Sequence, residues 1–320
     1  MTNVMENVKP TPVTAATPTF SYSPVVLSVP GRAVDLELKV SAPATGNELP
    51  LLLLSHGHGQ SNFLSSLHGY SPLADFYAAH GFVVIQPTHL DSKTLGLDPD
   101  GPEGALFWRS RAEDMKRIVD HLDQIEAAVP GLSGRLDHSR IAAVGHSMGG
   151  HTVGMLAGMR VTDPKDGKEY DLSEPRITAK VLIAPPGKGA DLEAFASEHY
   201  PVLRNTTFTE MAAPALVVAG DKDVSPGIFS GRVTWRADAY LLSPGPKSLL
   251  TIFGGEHIFG GISGYDAAET SDENPERVAA VQRFTWAYLR SALYPGDQAW
   301  DAARAELETS PTPLGKIEIK

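Results

Sequence analysis

Gly145-His146-Ser147-Met148-Gly149, followed by Gly150, sets one serine among three glycines. The apolar run IAAV precedes this cluster and HTVGML follows it, so the pattern reads as strand, sharp turn, helix. A side chain two residues before or after the serine would collide with the neighbouring strand and helix, which explains glycine at both places. The turn exposes the Ser147 hydroxyl. It also aims a helix N-terminus, with free N–H groups and the positive end of the dipole, at the same point. Those features suit nucleophilic attack with an anion developing beside the serine.

A serine hydroxyl is a weak nucleophile and needs a base, which in turn needs an orienting acid. For a serine on a strand–turn–helix bend the chain order is serine, acid, histidine, so the partners are sought downstream. LVVAGDKDVSP (216–226) puts two aspartates just after an apolar run. A residue immediately after a strand tends to be consumed by the turn, so Asp223 is preferred to Asp221 as the acid. TIFGGEHIFGG (251–261) supplies His257, the only histidine after Asp223. Two oxyanion donors are expected from the N–H of Met148, next to the serine, and from the loop SHGHGQS (55–61). The N–H of His58 is preferred there, with Gly57 and Gly59 as alternatives. Gln60, His89, Trp108, His146 and Phe259 are expected to line the substrate pocket. His56, His58 and His89 form too weak a pattern to imply a metal, and none is expected.

These residues need a scaffold. SPVVLSVP (23–30) and AVDLELKVSAP (33–43) predict an antiparallel hairpin. LPLLLLSHG (49–57), GFVVIQP (81–87), IAAVG (141–145), KVLIAP (180–185), ALVVAG (215–220) and SLLTIFG (248–254) are short apolar runs suited to strands buried on both faces. Between them, helices are predicted over 71–81, 105–129, 149–159 and 274–293, with a short one at 297–308. Alternation of this kind implies an α/β architecture: a mostly parallel sheet with helices on both faces and an antiparallel hairpin at the N-terminus. Residues 1–20, rich in Thr, Pro and Ala, are expected to form a loose arm, and 21–320 a single domain. The irregular segments 88–104 and 185–213 follow strands, so they are expected to wall the pocket, with 185–213 either a small cap or a pocket wall.

Composition narrows the function classes. The chain has 320 residues, 42% of them hydrophobic, which is enough for a packed core. With a formal net charge of −11 and no basic run it is a poor nucleic-acid binder. Without cysteine, disulfides and thiolate chemistry are excluded. No apolar stretch is long enough to span a membrane, and the N-terminus lacks a signal-peptide pattern, so a cytoplasmic location is expected.

The motifs LLLLSHGHGQ, FYAAHGFVVIQP, GHSMGG, VVAGDKDVSP and GGEHIFGG, in this order over residues 50–290, resemble the α/β-hydrolase superfamily. They are most similar to serine esterases grouped with chlorophyllase, the platelet-activating-factor acetylhydrolases and the predicted dienelactone hydrolases. The resemblance implies hydrolysis of a carboxylic ester, a small-molecule substrate and no cofactor. Three departures bear on the substrate: no cysteine nucleophile is available, Thr88-His89 replaces the usual aspartate-histidine pair, and Met148 stands where chlorophyllases carry arginine. Thioesterase, amidase or cofactor-free haloperoxidase activity on the same scaffold is the alternative, and a non-catalytic ligand-binding protein a second. Oligomeric state is not legible.

Overall fold

The computed structural model describes residues 13–320. Its main sheet has nine strands: β1 (Thr19–Leu27), β2 (Leu36–Pro43), β3 (Leu49–Ser55), β4 (Val83–Pro87), β5 (Leu136–His146), β6 (Ile177–Ile183), β7 (Ala215–Gly220), β8 (Lys247–Ile252) and β9 (Gly315–Ile319). Their spatial order is β1-β2-β4-β3-β5-β6-β7-β8-β9. β1 and β2 pair antiparallel, β2 joins β4 antiparallel, and β3 through β8 are mutually parallel. The α/β architecture read from the sequence is present. β9, antiparallel to β8, and a small three-stranded sheet of Arg160–Thr162, Glu169–Tyr170 and Thr206–Thr207 were not anticipated.

The leucine run in β3 shows why the sheet is buried on both sides. Successive strand residues point to opposite faces. Leu51 and Leu53 join one core with Val83, Ile85, Met115 and Ile118. Leu52 and Leu54 join the other with Val84, Tyr77, Phe284 and Leu289. Helices cover both faces: α1 (Ser71–Ala79), α2 (Trp108–Asp120), α3 (Leu122–Ala128), α4 (Met148–Leu156), α5 (Pro275–Leu293) and α6 (Ala299–Thr309). At α5 the Asn274 side chain caps the helix by accepting from the Arg277 N–H. At α1 no serine cap forms: Ser71 is already helical, and Tyr70, with φ 62°, precedes it. The single helix expected over 105–129 is broken at His121, whose φ of −119° leaves the helical region.

Residues 1–12 of the expected arm lie outside the described residues. The rest of it is tied down. The His80 ring bonds the Thr14 carbonyl, the Thr17 N–H donates to the Ala79 carbonyl, and Thr19 opens β1. No helix among the described residues is long and apolar enough to cross a membrane.

The register brings the chemistry together. Ser55 of β3 sits beside Gly145 of β5, His146 beside Ile183 of β6, and Gly220 of β7 beside Ile252 of β8. The loops carrying residues 56–60, 147, 221–223 and 253–257 therefore leave the same edge of the sheet.

Candidate active site

Ser147 lies between β5 and α4 with φ 54° and ψ −116°, outside the comfortable regions for a side-chain-bearing residue. The glycines around it have the expected cause. A Cβ on Gly145 would overlap the Gly149 carbonyl, and one on Gly149 would overlap the Ser55 carbonyl. Neither obstacle is a flexible side chain, so a methyl group at either place must move backbone. Gly149→Ala is expected to destabilise the fold by about 3 kcal/mol or more, as overpacking against rigid backbone does. A thermal melt that leaves Tm within a degree of the parent would contradict this.

The three groups sought in the sequence meet. Ser147 Oγ is 2.9 Å from His257 Nε2, and His257 Nδ1 is 2.8 Å from Asp223 Oδ2. The His257 side chain keeps 30% exposure, so the line opens to solvent at one end while Asp223 is buried beneath it. Asp221 takes the turn role: its Oδ1 accepts the Gly254 N–H at 2.7 Å. Glu256 is exposed and accepts from the Ser271 hydroxyl.

Sequence reasoning missed Arg236, a buried side chain whose Nε lies 3.2 Å from Asp223 Oδ2. Burial alone would raise the Asp223 pKa. The Arg236 guanidinium, with His257 and His146, outweighs that and holds the carboxyl well below its ordinary range. The acid is therefore a permanent anion at neutral pH. Arg236 stands over the Trp235 ring, itself stacked with Phe229 and, through it, Tyr200. A lone arginine thirteen residues after an aspartate carries no signal in sequence.

On the oxyanion side, the Gly57 N–H is already taken by Tyr70 Oη at 3.0 Å, which removes Gly57 as a donor. The N–H groups of His58 and Met148 have no hydrogen-bond partner among the described residues. Under this loop lies a charged cluster centred on Arg111. Its buried guanidinium donates to Asp91, to the His56 carbonyl and to Thr152 Oγ1 on α4. Asp91 Oδ2 also bonds the His58 ring at 2.9 Å. Asp114 completes a second set with Arg32 and His89.

Three expected pocket residues do not line an open surface. His89 is fully buried, one nitrogen bonded to Ser55 Oγ and the other to Asp114. His146 is fully buried between Tyr70 and the His257 carbonyl. Phe259 is buried in the core under α5. His146 and Phe259 sit beside Ser147 and His257 in sequence and His89 follows the end of β4, but all three side chains point under the loops. Gln60 is exposed on the 56–60 loop. Trp108 borders a cavity of about 520 Å³ between the segments 99–108, 163–165 and 198–202. Neither Ser147 nor His257 borders it. Tyr200 does, and its ring meets the His58 ring edge-on at 5.8 Å.

Of the three histidines weighed as metal ligands, His56 is engaged with Gly57 and His89, His89 with Ser55 and Asp114, and His58 through Nδ1 with Asp91. Asp123, Glu126 and His138 bring ligand atoms within 4.8 Å of one another. They lie by the start of β5, at the opposite end of the sheet from Ser147. Glu126 there already accepts the N–H groups of Arg135 and Leu136.

Four buried imidazoles set an acid limit on the fold. Burial pushes His56, His89 and His146 well below the ordinary histidine value, and pushes His151 down to about 3. The unfolded chain protonates them near pH 6.5, while the folded chain does not. The unfolded state then binds more protons, so stability falls as pH drops below about 6.5, by about 1.4 kcal/mol per pH unit for each such imidazole. Neither ring nitrogen of His151 has a partner among the described residues. His151→Met is therefore expected to flatten the acid slope in urea titrations between pH 6.5 and 4, and an unchanged slope would refute the assignment.

A family model described as "Alpha/beta hydrolase family" matches residues 51–315. Platelet-activating factor acetylhydrolase of Cavia porcellus is 27% identical over 156 residues, 38% of this chain and 35% of that protein. Cutinase 1 of Thermobifida cellulosilytica is 30% identical over 162 residues, 49% of this chain and 55% of that protein. Cutinase est1 of Thermobifida alba is 28% identical over 195 residues, 55% and 60% of the two chains. The matches thus span between about a third and three fifths of these relatives.

Proposed function

The chain belongs to the alpha/beta hydrolase family, and from that premise we propose that it is a serine hydrolase that cleaves a carboxylic ester through an acyl-enzyme. The observation that carries the reading is the continuous line from Ser147 Oγ through the His257 ring to a buried, ionised Asp223. The similarity to a cutinase and an acetylhydrolase favours an ester over other acyl substrates.

In this reading Ser147 Oγ attacks the acyl carbon while His257 Nε2 takes its proton. Asp223 fixes the Nδ1–H tautomer and stabilises the imidazolium. The oxygen of the tetrahedral intermediate is held by the N–H groups of His58 and Met148. His257 returns the proton to the departing alkoxide, leaving the acyl group on Ser147. A water molecule then gives its proton to His257 and attacks the same carbon. The second intermediate collapses to the free acid, and Ser147 regains its proton. No step requires a cofactor. Tyr200 and the segment 185–213 form one wall of the substrate groove, and the strands from β1 to β9 act as one unit that holds it.

The test is a panel of p-nitrophenyl esters of increasing chain length, beside matched thioester and amide substrates and a fluorophosphonate probe. Ester turnover with covalent labelling at Ser147 is expected. Preferred turnover of the thioester or amide would move the assignment to a sister activity. A folded protein that neither turns over nor labels would favour the ligand-binding alternative.

A further inference from the structure

Tyr70 and His146 lie between two parts of the site that the mechanism treats separately. The Gly57 N–H donates to Tyr70 Oη at 3.0 Å. Tyr70 Oη is 2.8 Å from His146 Nδ1, and His146 Nε2 is 2.8 Å from the carbonyl oxygen of His257. Both side chains are fully buried. The direction of each bond follows from chemistry. A carbonyl only accepts, so His146 Nε2 carries a proton. Burial keeps the ring neutral, so Nδ1 is bare and must accept. The Tyr70 hydroxyl therefore donates to Nδ1, and burial keeps it a phenol while its lone pair receives the Gly57 N–H. Each proton has one place, and the chain admits no alternative pattern.

From this geometry we propose that Tyr70 and His146 are positioning residues that lock the oxyanion loop to the backbone of the general base. The proposal rests on the serine-hydrolase reading. Gly57 immediately precedes His58, whose N–H is one oxyanion donor. The His257 carbonyl belongs to the residue whose ring moves the proton. A rigid link between them fixes the spacing between the place where negative charge develops and the place where the proton is held. The other anchors of these loops leave the His257 backbone untied. Arg111 ties the His56 carbonyl to α4, Asp221 ties the Gly254 N–H to the end of β7, and Glu269, which accepts from the Ser61 N–H and hydroxyl, reaches the loop only at a point twelve residues beyond His257. The His146 ring also packs at a tilt against the His257 ring, with centroids 4.8 Å apart, so its loss would loosen the base as well as its backbone.

The experiment uses Tyr70→Phe, which keeps the ring and removes only the hydroxyl. Wild-type turnover of p-nitrophenyl butyrate and labelling of Ser147 are measured first. Failure of both removes the hydrolase reading itself, before any variant is assayed. With an active parent, Tyr70→Phe is expected to lower kcat about 30-fold, within the range seen when catalytic geometry or an oxyanion donor is disturbed, with KM within threefold. His146→Gln can still donate to the His257 carbonyl and accept from Tyr70, so it is expected to retain at least five times the kcat of His146→Leu. Because the two residues act through one chain, Tyr70→Phe combined with His146→Leu should be no slower than His146→Leu alone. A merely structural role would lower Tm while leaving kcat of the folded fraction unchanged. Tyr70→Phe within twofold of the parent kcat, or losses that multiply in the double variant, would overturn the proposal. If His146→Leu does not fold, the comparison of Tyr70→Phe alone and combined with His146→Gln decides by the same criterion.

Discussion

Ser147→Ala is expected to lower kcat about a million-fold toward p-nitrophenyl esters, the scale found when a triad nucleophile is removed, while leaving the fold intact. The size follows from the role. Without Oγ no acyl-enzyme forms, and only the oxyanion donors and substrate binding remain to assist a direct attack by water. The intact fold follows from the backbone. Ser147 holds φ 54° and ψ −116°, and alanine carries the same Cβ, so the strain of the turn is unchanged. Among the described residues the Ser147 side chain bonds His257 alone, so alanine removes no other hydrogen bond. Tm should therefore stay within about 2 °C of the parent, on the scale by which small free-energy changes move Tm in a chain of this size. His257→Ala should fall to a similar level, and the double variant should be no worse than either, because the two act as one device. Fluorophosphonate labelling reads the same prediction without substrate choice: the parent labels at Ser147 and the alanine variant does not. Residual turnover above about one thousandth of the parent in Ser147→Ala would mean that another residue attacks, and the mechanism would have to be rebuilt around it.

What the sequence made legible divides along a physical line. The bend at 145–149 could be read because any strand that turns so sharply into a helix beside a neighbouring strand leaves no room for side chains: a Cβ there strikes the Gly149 or Ser55 backbone. The strands could be read because burial on both faces demands apolar residues without interruption, as in β3. His257 could be singled out because it is the only histidine after Asp223, and its ring does bond both Ser147 and Asp223. Residues that act through tertiary pairing could not. Tyr70 meets His146 across 76 positions, Arg111 meets the His56 carbonyl across 55, and neither partner announces the other. His146 and Phe259, expected to line the pocket, fail for a related reason. Adjacency to Ser147 or His257 says nothing about which side of the sheet edge a side chain faces, and His146 and Phe259 face inward. The break at His121 and the added strand β9 likewise depend on packing that periodicity does not encode.

The electrostatic half of the site gives the second large expectation. Asp223→Asn should lower kcat about ten-thousand-fold, the loss found when the triad carboxylate becomes an amide. An asparagine at 223 can present its N–H₂ to His257 Nδ1. That turns the ring to the tautomer with the proton on Nε2, where it can donate to Ser147 but cannot take its proton. It also removes the anion that stabilises the imidazolium. The change has a further consequence because Asp223 is shared. The buried Arg236 guanidinium loses the carboxylate 3.2 Å away, and an uncompensated buried charge costs about 3 kcal/mol. Asp223→Asn should therefore be both inactive and less stable. Combining it with Arg236→Met, which removes the orphaned charge, should restore Tm toward the parent and leave kcat at the low level. That separation shows that the lost activity belongs to the carboxylate and not to a weakened fold. Asp221→Asn is the control, since its amide oxygen still accepts the Gly254 N–H and kcat should stay within about threefold of the parent, as for a surface turn residue. If Asp221→Asn were the inactive variant and Asp223→Asn retained more than a tenth of the parent kcat, the acid would have to be reassigned to the turn, and Arg236 would hold a carboxylate with no part in moving the proton.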